Sequence, residues 1–329
     1  MTTLKDIALA ANVTPMTVSR VINTPELVKP KTKEKVLAVM EELQYRPNMA
    51  AKNLVSKRTG VIDVFIPESI DLSNPFVMHF IAGISKTLSA RMYSFLILRN
   101  KHVNRDCDGY IVTGLLSDEI EDFIEFTKQN ERPIVLFGHT DLPNVVCIDV
   151  DNISGAKIAV EYLINNGHKK IVMINVNEKK DYTIDRKLGY LFAMHKYGLH
   201  AEEEDIIYVD NSVIGGEEAI KKLLCKGDMP TAIFCATDTI AIGVARQLEI
   251  QGYSVPRDVS LIGFDGLGHH NFTNPSLTTI QQPIFEIGTK LAQILLDRID
   301  GNVEKVDNLI QPILLEQNSV LNLKNHTAE

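Results

Sequence analysis

The sequence has no tryptophan, few aromatics (6%) and only four cysteines. Cys107, Cys147, Cys225 and Cys235 stand far apart, with no CxxC pair among them. That spacing excludes a disulfide framework and a zinc ribbon, and it fits reduced thiols that pack in a cytoplasmic protein. No apolar run reaches the roughly 18 residues that a membrane-spanning helix needs. The first residues, MTTLKDIALAANV, carry Lys5 and Asp6 and show no apolar signal-peptide core. Also missing are a GxGxxG dinucleotide fingerprint and a GxSxG nucleophile elbow, and no Ser/His/Asp set emerges, so the sequence does not read as an enzyme. His269-His270 has no neighbouring ligands to complete a metal site, and no cofactor is implied. What remains is 329 residues with ordinary hydrophobic content (45%) and a net charge of -8. This length predicts two or three domains. Taken as a whole, the acidic balance argues against a partner as negative as nucleic acid.

The charge is unevenly divided. Residues 1–58 hold ten Lys/Arg against five Asp/Glu, a net of +5, which leaves -13 for the remainder. A basic module on an acidic body is an electrostatic footprint for phosphates. The basic segment reads as short helices. Thr3 and Asp6 make a capping box for the first, with Leu4, Ile7, Ala8 and Ala11 on one face. Asn12-Val13 form a tight turn. Thr14 caps a second helix and Pro15 suits its first position, because the missing N–H would be unpaired there anyway. Val18, Val21 and Ile22 point inward, while Pro15, Met16, Thr17, Ser19 and Arg20 stand at the start or on the outer side. A third helix, about Lys31 to Leu43, turns Val36, Val39, Met40 and Leu43 inward. Two short helices, a tight turn and a polar helix start suit entry into a major groove. A small helical bundle with no role on DNA has the same spacing.

The run TLKDIALAANVTPMTVSRVIN, then VKPKTKEKVLAVMEELQYRPNMAAKNLVSKRTG, resembles the headpiece of LacI/GalR-family transcription regulators. The motif TVSRVIN, the KTKEKV helix and the YRPN-x-x-A-x-x-L segment stand in that family's order and spacing. The resemblance implies an all-α helix-turn-helix headpiece over residues 1–58, with a hinge helix at 48–55. It makes Thr14, Pro15, Met16, Thr17, Ser19, Arg20, Asn23, Asn48, Ala51 and Leu54 the DNA-contacting residues. Arg20 is the member of the base-reading set able to contact guanine bidentately. Leu54 would be an apolar wedge in the minor groove. Lys29 departs from the pattern, since the family often places a Ser or Thr cap there.

From residue 60 onward apolar strands alternate with helical patterns, as parallel sheets covered on both faces require. The strands read as Val61–Ile66, Ser94–Leu98, Tyr110–Thr113, Ile134–Phe137, Val145–Asp149, Ile171–Asn175, Ile206–Val209, Ala232–Cys235, Ser260–Phe264 and Leu309–Leu315. The segments YLINNGHKKIVMI, TAIFCATDTIAIGV, DVSLIGFDG and PSLTTIQQP extend the resemblance through this region. It implies two α/β lobes like those of periplasmic binding proteins, joined by three crossings, in an effector-binding and dimerisation domain at 60–320. The N-lobe would be 60–151 with 283–307, the C-lobe 152–282 with 308–320, and 321–329 a polar tail. One connection is short. Only Arg99 to Asp106 follow strand Ser94–Leu98, where the family has a full helix and a parallel crossover usually takes a dozen or more residues. That face of the lobe should be thinly covered.

Open α/β sheets bind ligands at strand ends and in the cleft between lobes. By motif, the effector residues are Asn74, Phe76, Met78 and Thr113 in the N-lobe, and Arg186, Asn211, Thr237, Asp238 and Asp265 in the C-lobe, with Gln282 at a crossing. Arg186 and Asp265 could hold vicinal hydroxyls, with Phe76 against a ring face. A structural ion pair between these two is the alternative. His139 stands where a carboxylate–arginine pair is common in the family. The resemblance thus implies a homodimeric repressor of a sugar or other catabolic operon. It would bind a near-palindromic double-stranded operator and be switched by a small polar effector, a sugar or sugar phosphate. Control by a phosphoprotein corepressor, or a sugar-binding protein with a non-functional head, are the alternatives.

Overall fold

A computed structural model describes residues 2–23, 27–45, 58–100, 106–127, 131–142, 145–227, 229–302 and 309–324. The chain divides into two compact units, Met1–Gly60 and Val61–Glu329. No helix among the described residues is long and apolar enough to cross a membrane.

The first unit has helices α1 (Leu4–Ala10), α2 (Pro15–Asn23) and α3 (Pro30–Glu42). Thr3 and Asp6 close the expected capping box on α1: Asp6 N donates to Thr3 Oγ1 and Thr3 N to Asp6 Oδ2. Donation from Thr3 N and Thr3 Oγ1 holds the Asp6 carboxyl below its usual range. Asn12 takes the left-handed conformation (φ 50°) that lets α1 turn into α2. Ile7, Ala8, Ala11, Val18, Val21 and Val36 form a small buried core. Leu4 and Leu43, expected inward, lie on the exposed side (37% and 36%), at the ends of helices where little packs over them. Lys29 makes no side-chain cap on α3. The hinge segment 48–55, with Asn48, Ala51 and Leu54, lies outside the described residues, as does the side chain of Asn23.

The second unit contains two six-stranded sheets. One has the order β11-β5-β4-β3-β1-β2, built from β1 (Val61–Phe65), β2 (Ser94–Leu98), β3 (Gly109–Thr113), β4 (Ile134–Phe137), β5 (Val146–Val150) and β11 (Leu309–Ile310). All its pairings are parallel. Helices α4 (Pro75–Ala90) and α10 (Ile284–Ile299) cover one face through Phe80, Ile84, Leu88, Ile287 and Leu291. Each such side chain contributes about 1.5–3 kcal/mol of burial. Phe123 of α5 (Ser117–Thr127) packs on the other face with Phe65 and Tyr110.

The second sheet has the order β12-β10-β9-β8-β6-β7, from β6 (Ile171–Val176), β7 (Ile206–Val209), β8 (Ala232–Cys235), β9 (Ser260–Asp265), β10 (Thr278–Gln281) and β12 (Ile313–Leu315). Its helices are α6 (Asn152–Asn165), α7 (Asp181–Lys196), α8 (Val213–Lys226) and α9 (Asp238–Ile250). Three readings change here. β10 is a strand that its Thr-rich, weakly apolar sequence concealed. Its hydroxyls are satisfied internally: Gln317 N donates to Thr278 Oγ1, and Thr279 Oγ1 donates to Asp238. The single strand expected at 309–315 is two, because Pro312 cannot donate to a ladder. β11 joins the first sheet, and β12 runs antiparallel to β10 in the second. The third crossing therefore falls at Gln311-Pro312 rather than at 307/308. Residues 321–324 are tied to the C-lobe, with His168 Nε2 donating to Leu321 O and Leu323 N to Asn166 O. Only 325–329 of the expected tail lie outside the described residues.

β2 forms the edge next to the short connection, of which 101–105 lie outside the described residues. Its side chains are half-exposed, Leu96 by 45%.

The helix pairs pack backbone to backbone at glycines. A Cβ on Gly83 of α4 would overlap Phe285 O of α10, and one on Gly288 of α10 would overlap Phe80 O of α4. Gly216 and Gly243 play the same reciprocal part between α8 and α9, and Gly189 of α7 meets Ile153 O of α6. Replacing Gly83 by Ala should force α4 and α10 apart at a cost of about 1–3 kcal/mol. Chemical denaturation would show it as a lower midpoint at unchanged slope.

Candidate functional site

In the head, α2 presents the expected surface. Thr14 Oγ1 accepts from Thr17 N and pairs with Thr17 Oγ1 at 2.9 Å, which fixes the first turn. Val18 and Val21 point into the core. Pro15, Met16 (64% exposed) and Arg20 are exposed, and Ser19 is half-buried beside them. The start and outer face of the helix are thus free of core duty, as a reading helix requires.

In the second unit a cavity of about 350 Å³ lies between the two sheets. Its walls come from segments that follow the carboxyl ends of parallel strands, where such sheets bind ligands. Eight of the ten expected residues line it. From the N-lobe come Asn74, Phe76 and Thr113; from the C-lobe side come Arg186, Asn211, Thr237, Asp265 and Gln282. Asn74 caps α4 by accepting from Phe76 N. Phe76 stacks on Phe80 and Phe137, with centroids 5.8 and 5.5 Å apart. Thr237 caps α9 through Ile240 N and donates to Asn211 Oδ1 at 2.8 Å.

Arg186 is the centre of the C-lobe wall and is only 3% exposed. Its Nε donates to Asn152 Oδ1 (2.9 Å), and Nη1 donates to Ala236 O and to Asp265 Oδ1 (3.4 Å). The guanidinium lies 3.6 Å from the Phe264 ring centroid and 4.8 Å from that of Tyr182. Nη2 has no hydrogen-bond partner among the described residues. Burial lowers the Arg186 pKa and raises that of Asp265, while each charge opposes the other's shift. Gln282 Nε2 donates to the same Asp265 oxygen at 2.7 Å. Asp265 holds φ at +133°, a region L-residues rarely adopt, and such strain persists where the surroundings over-determine it. The ion pair anticipated as an alternative is therefore present, in the cavity wall.

Two expected residues lie elsewhere. Met78 is 60% exposed and outside the lining. At 3.6 residues per turn, two positions after Phe76 is more than half a turn round α4. Asp238 is buried behind the wall, its oxygens accepting from Gly266 N (2.9 Å) and Thr279 Oγ1 (2.6 Å). Burial and the nearby Asp265 push its carboxyl up to about 8.

The motif reading missed Asp149, Asn152, Lys180 and Tyr182, which also line the cavity. Asp149 is next to last in β5, and Tyr182 precedes Arg186 by one helical turn. Position at a strand end was the available signal. Burial pushes the Asp149 carboxyl up to about 6. His139 lines the cavity and contacts Asp141 at 3.4 Å. Among the described residues no cluster of His, Cys, Asp or Glu could hold a metal ion.

The raised Asp238 carboxyl makes a pH prediction. Between the unfolded value near 4 and the folded value near 8, the native state keeps a proton that the unfolded state releases. This contribution to stability therefore falls as pH rises through that window. Asp238→Asn should flatten the stability–pH slope by up to about 1.4 kcal/mol per pH unit. Denaturation midpoints of both proteins across the window measure it, and parallel slopes would refute it.

Residues 3–48 match the family of bacterial regulatory proteins, lacI family, and residues 160–320 match the periplasmic binding protein-like domain. An uncharacterised HTH-type transcriptional regulator of Bacillus subtilis, YvdE, is 36% identical over 98% of this chain and all of its own length. Catabolite control protein A of Priestia megaterium is 34% identical over 94% of this chain and 95% of its own. Among solved structures, a CelR–cellobiose complex matches with TM-score 0.72 and 27% identity, covering 97% of this chain and all of that one. The lac repressor dimer bound to operator and anti-inducer matches with TM-score 0.75 and 25% identity, covering 97% of this chain and 99% of that one. With the helix-turn-helix and the two-lobe domain both in place, the chain belongs to the LacI family of DNA-binding transcriptional regulators and is not an enzyme.

Proposed function

We propose that this chain is a homodimeric repressor of a carbohydrate operon, released from or recruited to its operator by a sugar in the interlobe cavity. The observation that carries the effector reading is Arg186: a guanidinium almost wholly removed from water, held on three sides, with Nη2 unpartnered at the cavity wall. Nη2 opens onto the cavity, so a ligand oxygen there can accept from a charged donor that its other hydrogen bonds already hold in place. The cellobiose complex of the CelR regulator supports a sugar as ligand, and the operator-bound lac repressor dimer supports the dimer.

On this reading Thr14, Pro15, Met16, Thr17, Ser19, Arg20 and Asn23 contact the major groove, while Asn48, Ala51 and Leu54 serve the minor groove at the operator centre. Two heads bring a formal +10 to DNA, so affinity falls steeply with salt as counterion release weakens. The effector acts only through its different affinities for the DNA-bound and free states.

The test begins with selection of bound fragments from random DNA at low salt. A near-palindromic site is expected, and failure to enrich any sequence would sink the repressor reading. Arg20→Ala should then lose about 1–3 kcal/mol of discrimination at one or two base pairs per half-site. A loss equal across all sequences would make Arg20 a phosphate contact.

A further inference from the structure

The charges around the cavity are unbalanced, and the imbalance bears on what can bind there. Five carboxylates line it (Asp71, Asp149, Glu178, Asp181 and Asp265) against two cations, Lys180 and Arg186, a formal excess of three negative charges. Both cations are already compensated within the wall. Arg186 faces Asp265 at 3.4 Å and Lys180 faces Glu178 at 2.8 Å. Neither is a spare positive charge for a phosphate or a carboxylate.

Asp149 is different. One of its oxygens accepts from its neighbour's amide, Val150 N, at 2.7 Å, and it makes no salt bridge among the described residues. Its second oxygen has no partner there, and the residue lines the cavity. An anionic group placed against it would bring two like charges together in a partly desolvated site, where repulsion is screened least. A purely cationic group could pair with Asp149 but has no acceptor to offer Arg186 Nη2. The group that suits both is one that donates and accepts without carrying charge. A pair of vicinal hydroxyls can donate to Asp149 and accept from Arg186 Nη2. Phe76, Phe137 and Tyr182 supply apolar wall for the C–H faces of a ring.

Building on the reading of this cavity as the effector site, we propose that it selects uncharged polyhydroxylated ligands, and that Asp149 is the residue that rejects sugar phosphates and sugar acids. The specificity is a penalty on the wrong ligand more than a gain for the right one.

Full-length protein is titrated calorimetrically, near neutral pH, with maltose, cellobiose, ribose and glucose, and in parallel with glucose 6-phosphate, ribose 5-phosphate and glucuronate. At least one neutral sugar is expected to bind at least tenfold more tightly than its charged derivative. Asp149→Asn keeps the size and one acceptor oxygen, and it should narrow that gap to about threefold or less, chiefly by admitting the anion. Its unfolding midpoint verifies that it is folded. An anionic sugar that binds the wild type as tightly as its neutral parent overturns the proposal, and so does a gap that Asp149→Asn leaves unchanged. Arg186→Ala separates this from the underlying reading: binding that survives that substitution undiminished places the ligand outside the cavity. Failure of every probe to bind at millimolar concentration overturns both.

Discussion

The second unit is organised around one buried guanidinium. Taking Arg186 out of water is costly, and an unpaired charge there would not be tolerated. The fold meets that cost with contacts from separate elements: Asn152 at the start of α6, the carbonyl of Ala236 after β8, Asp265 at the end of β9, and the rings of Phe264 and Tyr182. A second layer holds the first. Gln282 donates to Asp265, and Asp238 pins Gly266 and Thr279 from behind. Because these partners come from α6, α7, β8, β9 and the β10–α10 crossing, the same contacts that satisfy the charge also align the C-lobe strand ends into one wall.

The sheets that carry the two sides of the cavity must keep their shape as well. The glycine contacts serve this. Where Gly83 meets Phe285 O and Gly288 meets Phe80 O, α4 and α10 approach as backbones, without flexible side chains between them. The same arrangement recurs in α8 with α9. Close-packed pairs transmit displacement instead of absorbing it. A regulator needs that property if a ligand between the lobes is to be felt elsewhere.

Charge is distributed with the same economy. The head carries the positive excess and the body the negative one, so the head is the part of the chain whose field favours a polyanion such as DNA. Within the body, the acid excess recurs at small scale around the cavity.

Much of this was legible in the residues themselves. The capping box at Thr3 and Asp6, the inward Val18 and Val21 and the polar start of α2 follow from local rules, because a three-helix head is built from contacts near in sequence. Most strands of the body were legible too, since strands buried on both faces read as apolar runs. β10 was not, because Thr278 and Thr279 are buried through hydrogen bonds to partners about 40 residues away. Nor was the split of 309–315, where the choice of sheet depends on which lobe each half meets. The site divides along the same line. Motifs located Phe76, Arg186, Asp265 and Thr237, but Met78 shares the motif of Phe76 and Asp238 that of Thr237, and both face elsewhere, while Asp149 and Tyr182 reach the cavity without a motif of their own. By itself the sequence determined which residue types stand near each strand end, since that depends on local order along the chain. Only the tertiary structure decided which of them face one another across the cavity, because that depends on helix phase and on pairings distant in sequence.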